Sequence, residues 1–236
     1  MKRLIIFLLL SGFVTETYSQ RSHVGLSFGL TLPRDEFALD NLQESGGYAL
    51  QGLMLDFSGA FIPDRYFGLA GSMTFGSNVM DADTLRQDIL DLLPGPFPAD
   101  ADINFDHGSW IYSNILLGPF LTLPLERINF DLRGMAGPSF LMSPPMEITV
   151  TTNNDRYFQS RNARTVNLAY SLGGGIRFGN PGGVNIRLYA DYFMSNTSIE
   201  TKNDHTVSGQ PQGVETSSYN MKITTLNLGI GLVYSL

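Results

Sequence analysis

Eight segments of this chain alternate apolar residues with small or polar residues at every second position. In the first of them, Val24, Leu26 and Phe28 share one face, and Gly25 and Ser27 share the other. Because successive side chains of a β-strand point to opposite faces, this period of two predicts strands with one apolar face each. The predicted strands cover about 24–32, 53–62, 67–75, 110–123, 128–140, 166–178, 184–192 and 226–236.

The connections between these segments alternate in length. The long ones are 33–47, 77–108, 143–164 and 195–221, and the short ones are 63–65, 124–127 and 179–183. Bacterial membrane barrels have an even number of strands of about ten residues, with short turns on one side and long loops on the other. The pattern therefore predicts an all-β fold, an eight-stranded antiparallel up-and-down transmembrane β-barrel. A soluble β-sandwich or a soluble barrel is the alternative, and neither explains the sorted connection lengths.

The N-terminal residues predict export. A positively charged head at 1–3 is followed by an apolar run that ends near Val14, which is too short for a helix that crosses a bilayer. Small residues then predict cleavage before Gln20. We expect a signal peptide at 1–19 and an outer-membrane barrel domain at 20–236. The alternative is an N-terminal anchor helix, which the short run disfavours.

The charge and the cysteine count exclude several classes of protein. The net charge of −7 is opposite to the basic surface that nucleic-acid binding needs, so no nucleic-acid partner is expected. The chain contains no cysteine, which leaves no thiol for lipid attachment and no disulfide. No nucleotide fingerprint or phosphate loop is present either, and we expect no cofactor.

Charged residues fall on the polar, inward parity of the predicted strands in equal numbers of each sign. They are Asp56, Asp131, Asp191, Arg133, Arg177 and Arg187. The interior of an eight-stranded barrel is only wide enough for side chains to fill it. Since an unpaired buried charge costs several kcal/mol, three acids and three bases predict an interior ion-pair network that plugs the barrel. A gated proton or ion path is the alternative.

The second long connection holds two candidate features. Apolar residues at helical spacing after Asp83 predict a short amphipathic helix that ends before Pro94 and either caps the barrel mouth or lies on the outer leaflet. The second feature has the D-x-D-x-N spacing of calcium loops, and its residues are Asp100, Asp102, Asn104 and Asp106. Phe105 stands where that pattern has glycine and Ile111 where it has glutamate, so a solvated acidic loop without metal is favoured.

Two closely spaced histidine–serine pairs raise the question of enzymatic activity. They are His107 with Ser109 and His205 with Thr206-Val207-Ser208. A lipid A deacylase needs a serine on the lipid-facing wall with a base and an orienting acid in reach. Ser109 has outward parity, but Trp110 follows it where the deacylase pattern has asparagine. We therefore expect that the protein is not an enzyme.

The C-terminal segment resembles the targeting strand of outer-membrane barrel proteins, in which Gly231, Tyr234 and Leu236 fill the expected places. The final residue of that pattern is usually aromatic, and here it is leucine. Over nearly its whole length the chain is similar to the small outer-membrane β-barrel family, the OmpA-like and OmpX-like barrels without a periplasmic domain, in the glycine-rich style of Bacteroidota. The resemblance implies a bacterial outer-membrane location, contact with outer-membrane lipid and insertion by the barrel-assembly machinery.

Fold class alone does not name a function, because loops carry the function of such scaffolds. The favoured hypothesis is a structural or interaction scaffold that displays four long extracellular loops, with an envelope or extracellular protein as partner. A narrow porin-like channel and a lipid A-modifying enzyme are the alternatives.

Overall fold

The computed structural model describes residues 22–41, 46–92, 102–125, 127–144, 146–151, 156–161, 164–180, 182–207 and 210–236. Its strands are β1 (His23–Arg34), β2 (Ala49–Phe61), β3 (Phe67–Met80), β4 (Asp102–His107), β5 (Ser109–Leu125), β6 (Ile128–Met142), β7 (Met146–Thr151), β8 (Arg156–Arg161), β9 (Arg164–Phe178), β10 (Val184–Val207) and β11 (Gln210–Ser235). Two helices, α1 (Asp35–Ala38) and α2 (Ala82–Leu92), follow β1 and β3. The predicted signal peptide at 1–19 lies outside the described residues. None of the helices in these ranges is long and apolar enough to cross a bilayer.

Eight of the strands form a closed ring. Each pairs antiparallel with its neighbours in the order β1-β2-β3-β5-β6-β9-β10-β11, and β11 pairs back onto β1 from His23↔Ser235 to Arg34↔Thr224. These are the eight segments with alternating residues, so the predicted up-and-down barrel is confirmed. Closure removes both sheet edges, which leaves every ring strand with hydrogen-bonded neighbours on two sides.

The two faces of the wall differ as the alternation predicts. In β9, Leu172 is 72% exposed while the adjacent Ser171 is 6% exposed. Large apolar side chains of all eight strands point outward in this way, including Phe28, Leu53, Leu69, Leu117, Leu132, Leu188 and Leu232. The inward face carries the small, polar and charged residues together with buried apolar ones such as Met54, Leu116 and Met135. A water-soluble barrel would have the opposite arrangement, with its apolar face inside.

The short turns and the long connections lie at opposite ends of the ring. The turns after β2, β5 and β9 are at one end, where the backbone N–H of Leu236 also donates to the carbonyl of Ser22. By the rule for bacterial barrels, this end faces the periplasm and the other faces the exterior. We use these two names for the ends below.

A second sheet extends the barrel at its extracellular end. Above the ring, β10 and β11 continue as a hairpin over 196–207 and 210–223. β8 pairs with β10 at 201–206, β7 pairs with β8, and β4 pairs with β7. We call this part, β4-β7-β8-β10-β11, the extracellular sheet.

The extracellular sheet differs from the expected long loops. The connection 195–221 is a paired hairpin. The connection 77–108 contains α2 and β4, and the connection 143–164 contains β7 and β8. Residues 213–218 are exposed at every position, so neither face of the sheet is buried there. Periodicity reveals a strand only when one of its faces is buried, and a sheet wetted on both faces gives no such signal.

Candidate functional site

The six predicted charges meet inside the ring as three buried ion pairs. Arg133 pairs with Asp191, Arg177 with Asp131, and Arg187 with Asp56. Arg177 and Asp56 are each only 2% exposed, which shows that water has almost no access to this layer. Side chains therefore fill the barrel at the level of the ion pairs, and no open lumen is left there.

Each aspartate is held by more than one donor. Arg133 binds Asp191 with two nitrogens, the Nε–Oδ1 distance being 3.0 Å, and Arg177 binds Asp131 in the same forked way. Forked contacts of this kind are the strongest that a guanidinium makes with a carboxylate.

The third pair is completed by hydroxyl groups. Arg187 Nη2 donates to Asp56 Oδ2 and to Ser27 Oγ, both at 2.8 Å. The hydroxyl of Thr74 donates to the other oxygen of Asp56 at 3.0 Å. Four different strands contribute these side chains, so the ion pair ties β10 to the opposite side of the barrel.

Tyr189 joins two of the ion pairs. The guanidinium carbon of Arg133 lies 4.8 Å from the centre of the Tyr189 ring, and that of Arg187 lies 4.6 Å from it. The ring lies over Gly229 of β11, where a Cβ atom would come within 2.3 Å of Tyr189 Cε1. Only glycine at this position leaves room for a ring placed between two arginines.

An aromatic and aliphatic cluster closes the extracellular mouth above the ion pairs. Its fully buried members are Phe37, Tyr48, Leu85, Trp110, Tyr112, Phe193, Ile199, Met221 and Ile223. Phe37 of α1 packs edge-on against Trp110, with 5.4 Å between the ring centroids, and Trp110 Nε1 donates to the carbonyl of Gly47 at 2.9 Å. The segment after β1 therefore folds back over the mouth.

α2 completes this closure. Leu85 is fully buried, and the Tyr48 hydroxyl donates to Asp88. Asp81 caps the helix by accepting from the backbone N–H of Thr84 at 3.1 Å. The cap is therefore Asp81, two residues before the expected Asp83. Of the two predicted placements, the helix takes the one over the mouth.

Two aromatic residues near the extracellular end of β5 point inward. Trp110 and Tyr112 have the same parity as the buried Asn114, and the Tyr112 hydroxyl donates to Thr31 Oγ1 at 2.9 Å. The interior thus holds large aromatic side chains toward its extracellular end, beside buried polar ones such as Asn78. The inward direction of Trp110 and Tyr112 can be read from the sequence, because the alternating residues Ile111 and Ile115 face outward. The burial of Phe37 leaves no such periodic signal.

The periplasmic end is closed by a smaller group. Ile62 and Val233 are buried, and the rings of His23 and Phe120 lie 5.5 Å apart between their centroids. The ion-pair layer is therefore sealed on both sides by apolar side chains.

The residues of the calcium-like and histidine motifs lie partly in strands and partly outside the described residues. Asp102, Asn104 and Asp106 lie in β4, an extended strand that does not curl around an ion, and Asp100 lies outside the described part. Among the described residues, no three His, Asp or Glu side chains are grouped to hold a metal. His107 and His205 are in β4 and β10, and Ser208 is outside the described part.

A closed ring with an apolar exterior, a sealed polar interior and sorted connections is the architecture of bacterial outer-membrane proteins. This protein is an outer-membrane β-barrel. Of its targeting residues, Gly231 lies against Ser27 of β1, while Tyr234 and Leu236 are on the exposed face near the periplasmic end. Their role in targeting stays a prediction.

No family model matches the sequence of this barrel, and no curated protein is similar to it in sequence. Solved structures resemble it at low identity. The attachment invasion locus protein Ail of Yersinia pestis is 12% identical with a TM-score of 0.41, covering 91% of this chain and 99% of Ail. Neisserial surface protein A is 9% identical with a TM-score of 0.44, covering 91% and 97%. A major outer membrane protein of Thermus thermophilus is 11% identical with a TM-score of 0.48, covering 91% and 99%.

Proposed function

We propose that this barrel is a non-conducting, non-enzymatic scaffold that holds the extracellular sheet above the membrane for an envelope or extracellular protein partner. The observation that carries the proposal is the contrast between the two ends of β10 and β11. Inside the ring their side chains close the interior, and above it the same strands continue as a paired hairpin in which β11 is exposed on both faces at 213–218. A chain that fills its own lumen and projects its strands outward is built to present a surface.

The length of the projection supports this role. Residues 196–207 of β10 would reach about 40 Å beyond the ring at ~3.3 Å per residue. Such a surface stands clear of the lipid headgroups. Most of its exposed residues are polar or charged, among them Glu200, Lys202 and Glu215, although Val214 is exposed as well, so the partner's surface would be largely polar.

A channel is less consistent with the interior. Ions would have to cross the Phe37–Trp110 layer, the three ion pairs and the Ile62–Val233 layer in turn. In a planar bilayer we expect the purified protein to produce no steady conductance, while a large porin in the same bilayer serves as positive control. A stable ohmic conductance from the folded, heat-modifiable protein would overturn the closed-scaffold proposal in favour of the porin-like alternative.

The scaffold role is tested by removing part of the extracellular sheet. Met142 and Arg164 are directly paired, so an Asn-Gly turn can replace 143–163 and delete β7 and β8 without disturbing β6 or β9. We expect this variant to keep its heat-modifiable gel mobility and to lose the proteins that the intact barrel retains in a pull-down from native membranes. The same set of retained proteins from both forms would contradict the role of the sheet.

A further inference from the structure

An open apolar hollow lies on the lipid-facing wall, across β1, β2, β3, β5 and β6. Its volume is about 510 Å³. Its sides are formed by outward-facing side chains that are 40–70% exposed, namely Phe28, Leu53, Phe75, Ile111 and Phe140. This hollow belongs neither to the barrel interior nor to the extracellular sheet.

Two serines form the floor of the hollow where neighbouring positions carry large apolar residues. Ser77 is paired with Leu53 and Ile111, and Ser113 is paired with Phe75 and Phe140. Both serines face the lipid, and in the described part of the chain neither hydroxyl has a hydrogen-bond partner. In hydrocarbon a hydroxyl without a hydrogen-bond partner is unfavourable.

The position of the hollow along the barrel identifies the leaflet. Ser77 is close to Met80, the extracellular end of β3, and Met142, which lines the hollow, is the extracellular end of β6. The hollow is thus at the depth of the outer leaflet. The hollow offers too few hydrogen-bonding groups to hold ordered water. An alkyl chain of a surrounding lipid is therefore its natural occupant.

We propose that this hollow binds one hydroxylated acyl chain of the outer-leaflet glycolipid, lipid A. The apolar sides take the methylene chain, and the hydroxyls of Ser77 and Ser113 exchange hydrogen bonds with the chain's own hydroxyl. A saturated chain without a hydroxyl would fill the same volume but leave both serines unsatisfied. The site would give the barrel a fixed lipid neighbour, independently of any partner of the extracellular sheet.

Native mass spectrometry of the folded barrel in mild detergent tests the site, with purified lipid A and phosphatidylethanolamine as probes. The wild type is expected to retain one lipid A and to prefer it at least tenfold over phosphatidylethanolamine. The double substitution Ser77→Leu/Ser113→Leu fills the hollow and is expected to reduce lipid A retention at least tenfold. Ala136→Leu adds the same side chain to the lipid-facing wall outside the hollow and is expected to leave retention unchanged.

The milder variant Ser77→Ala/Ser113→Ala removes the two hydroxyls and leaves the hollow open. It therefore tests the role of the hydroxyls even if the leucine variant fails to fold. It is expected to bind both lipids but to lose the preference for lipid A. Two results would overturn the proposal: equal lipid A retention by wild type and the folded leucine variant, or an unchanged preference in the alanine variant. Heat-modifiable gel mobility verifies folding in each case.

Discussion

Arg133→Ala is expected to lower the free energy of unfolding by about 3–5 kcal/mol, the usual cost of leaving one member of a buried ion pair without its partner. Asp191 would lose both forked contacts. The Asp191 carboxylate has little room to turn toward water, because it packs directly against Gly173. A Cβ atom added to Gly173 would come within 1.9 Å of Asp191 Oδ1. The same substitution also removes one of the two cations that contact the Tyr189 ring.

Urea unfolding of the detergent-solubilised barrel measures this loss, with heat-modifiable gel mobility as a second readout. Arg127→Ala is the matched control, because Arg127 is exposed in a periplasmic turn and its substitution is expected to change stability by less than about 0.5 kcal/mol. An Arg133→Ala barrel as stable as the control would contradict the structural role of the ion pair.

A double variant distinguishes pairing from packing. In Arg133→Leu/Asp191→Leu no charge is left alone, and replacing a whole buried pair by apolar residues is often neutral or stabilising. We expect most of the lost stability to return. If the double variant is as unstable as Arg133→Ala, the loss comes from shape and not from the unpaired aspartate.

The sequence predicts the membrane-spanning part of this fold well because lipid makes the pattern strict. Leu172 contacts hydrocarbon while Ser171 faces the interior, so their order can be read without any structure. The identity of the six inward charges follows from the same parity. Their partners do not, because Arg187 reaches Asp56 across a ring whose closure and register depend on all eight strands together.

The parts that sequence reasoning missed are those that no alternation marks. Phe37 closes the mouth from a four-residue helix, and its burial depends on where the chain turns after Arg34. The upper part of β11 has water on both faces at 213–218, so it has no buried apolar side to detect. Both features depend on how distant parts of the chain are placed in three dimensions. The residue pattern of a single sequence does not predict that placement.

Gly229→Ala is expected to lower the free energy of unfolding by about 1–3 kcal/mol, the range for an added methyl group in a filled interior. Its Cβ would lie 2.3–2.7 Å from three atoms of Tyr189. Arg133 and Arg187 both contact that ring, so moving the ring away from residue 229 disturbs both contacts. Gly134→Ala is the control, since its Cβ would meet only a side-chain carbon of Leu172 at 3.8 Å.

The source of this loss is tested by repeating Gly229→Ala in a Tyr189→Ala background. If the methyl group acts by displacing the ring, it costs little once the ring is gone, and the two substitutions show a coupling free energy. Additive losses would mean that alanine at 229 disturbs the β10–β11 pairing itself. A clear coupling would instead show that Tyr189, Gly229 and the two arginines stabilise the barrel as one unit, in which the close approach of a bare backbone positions an aromatic ring between two charges.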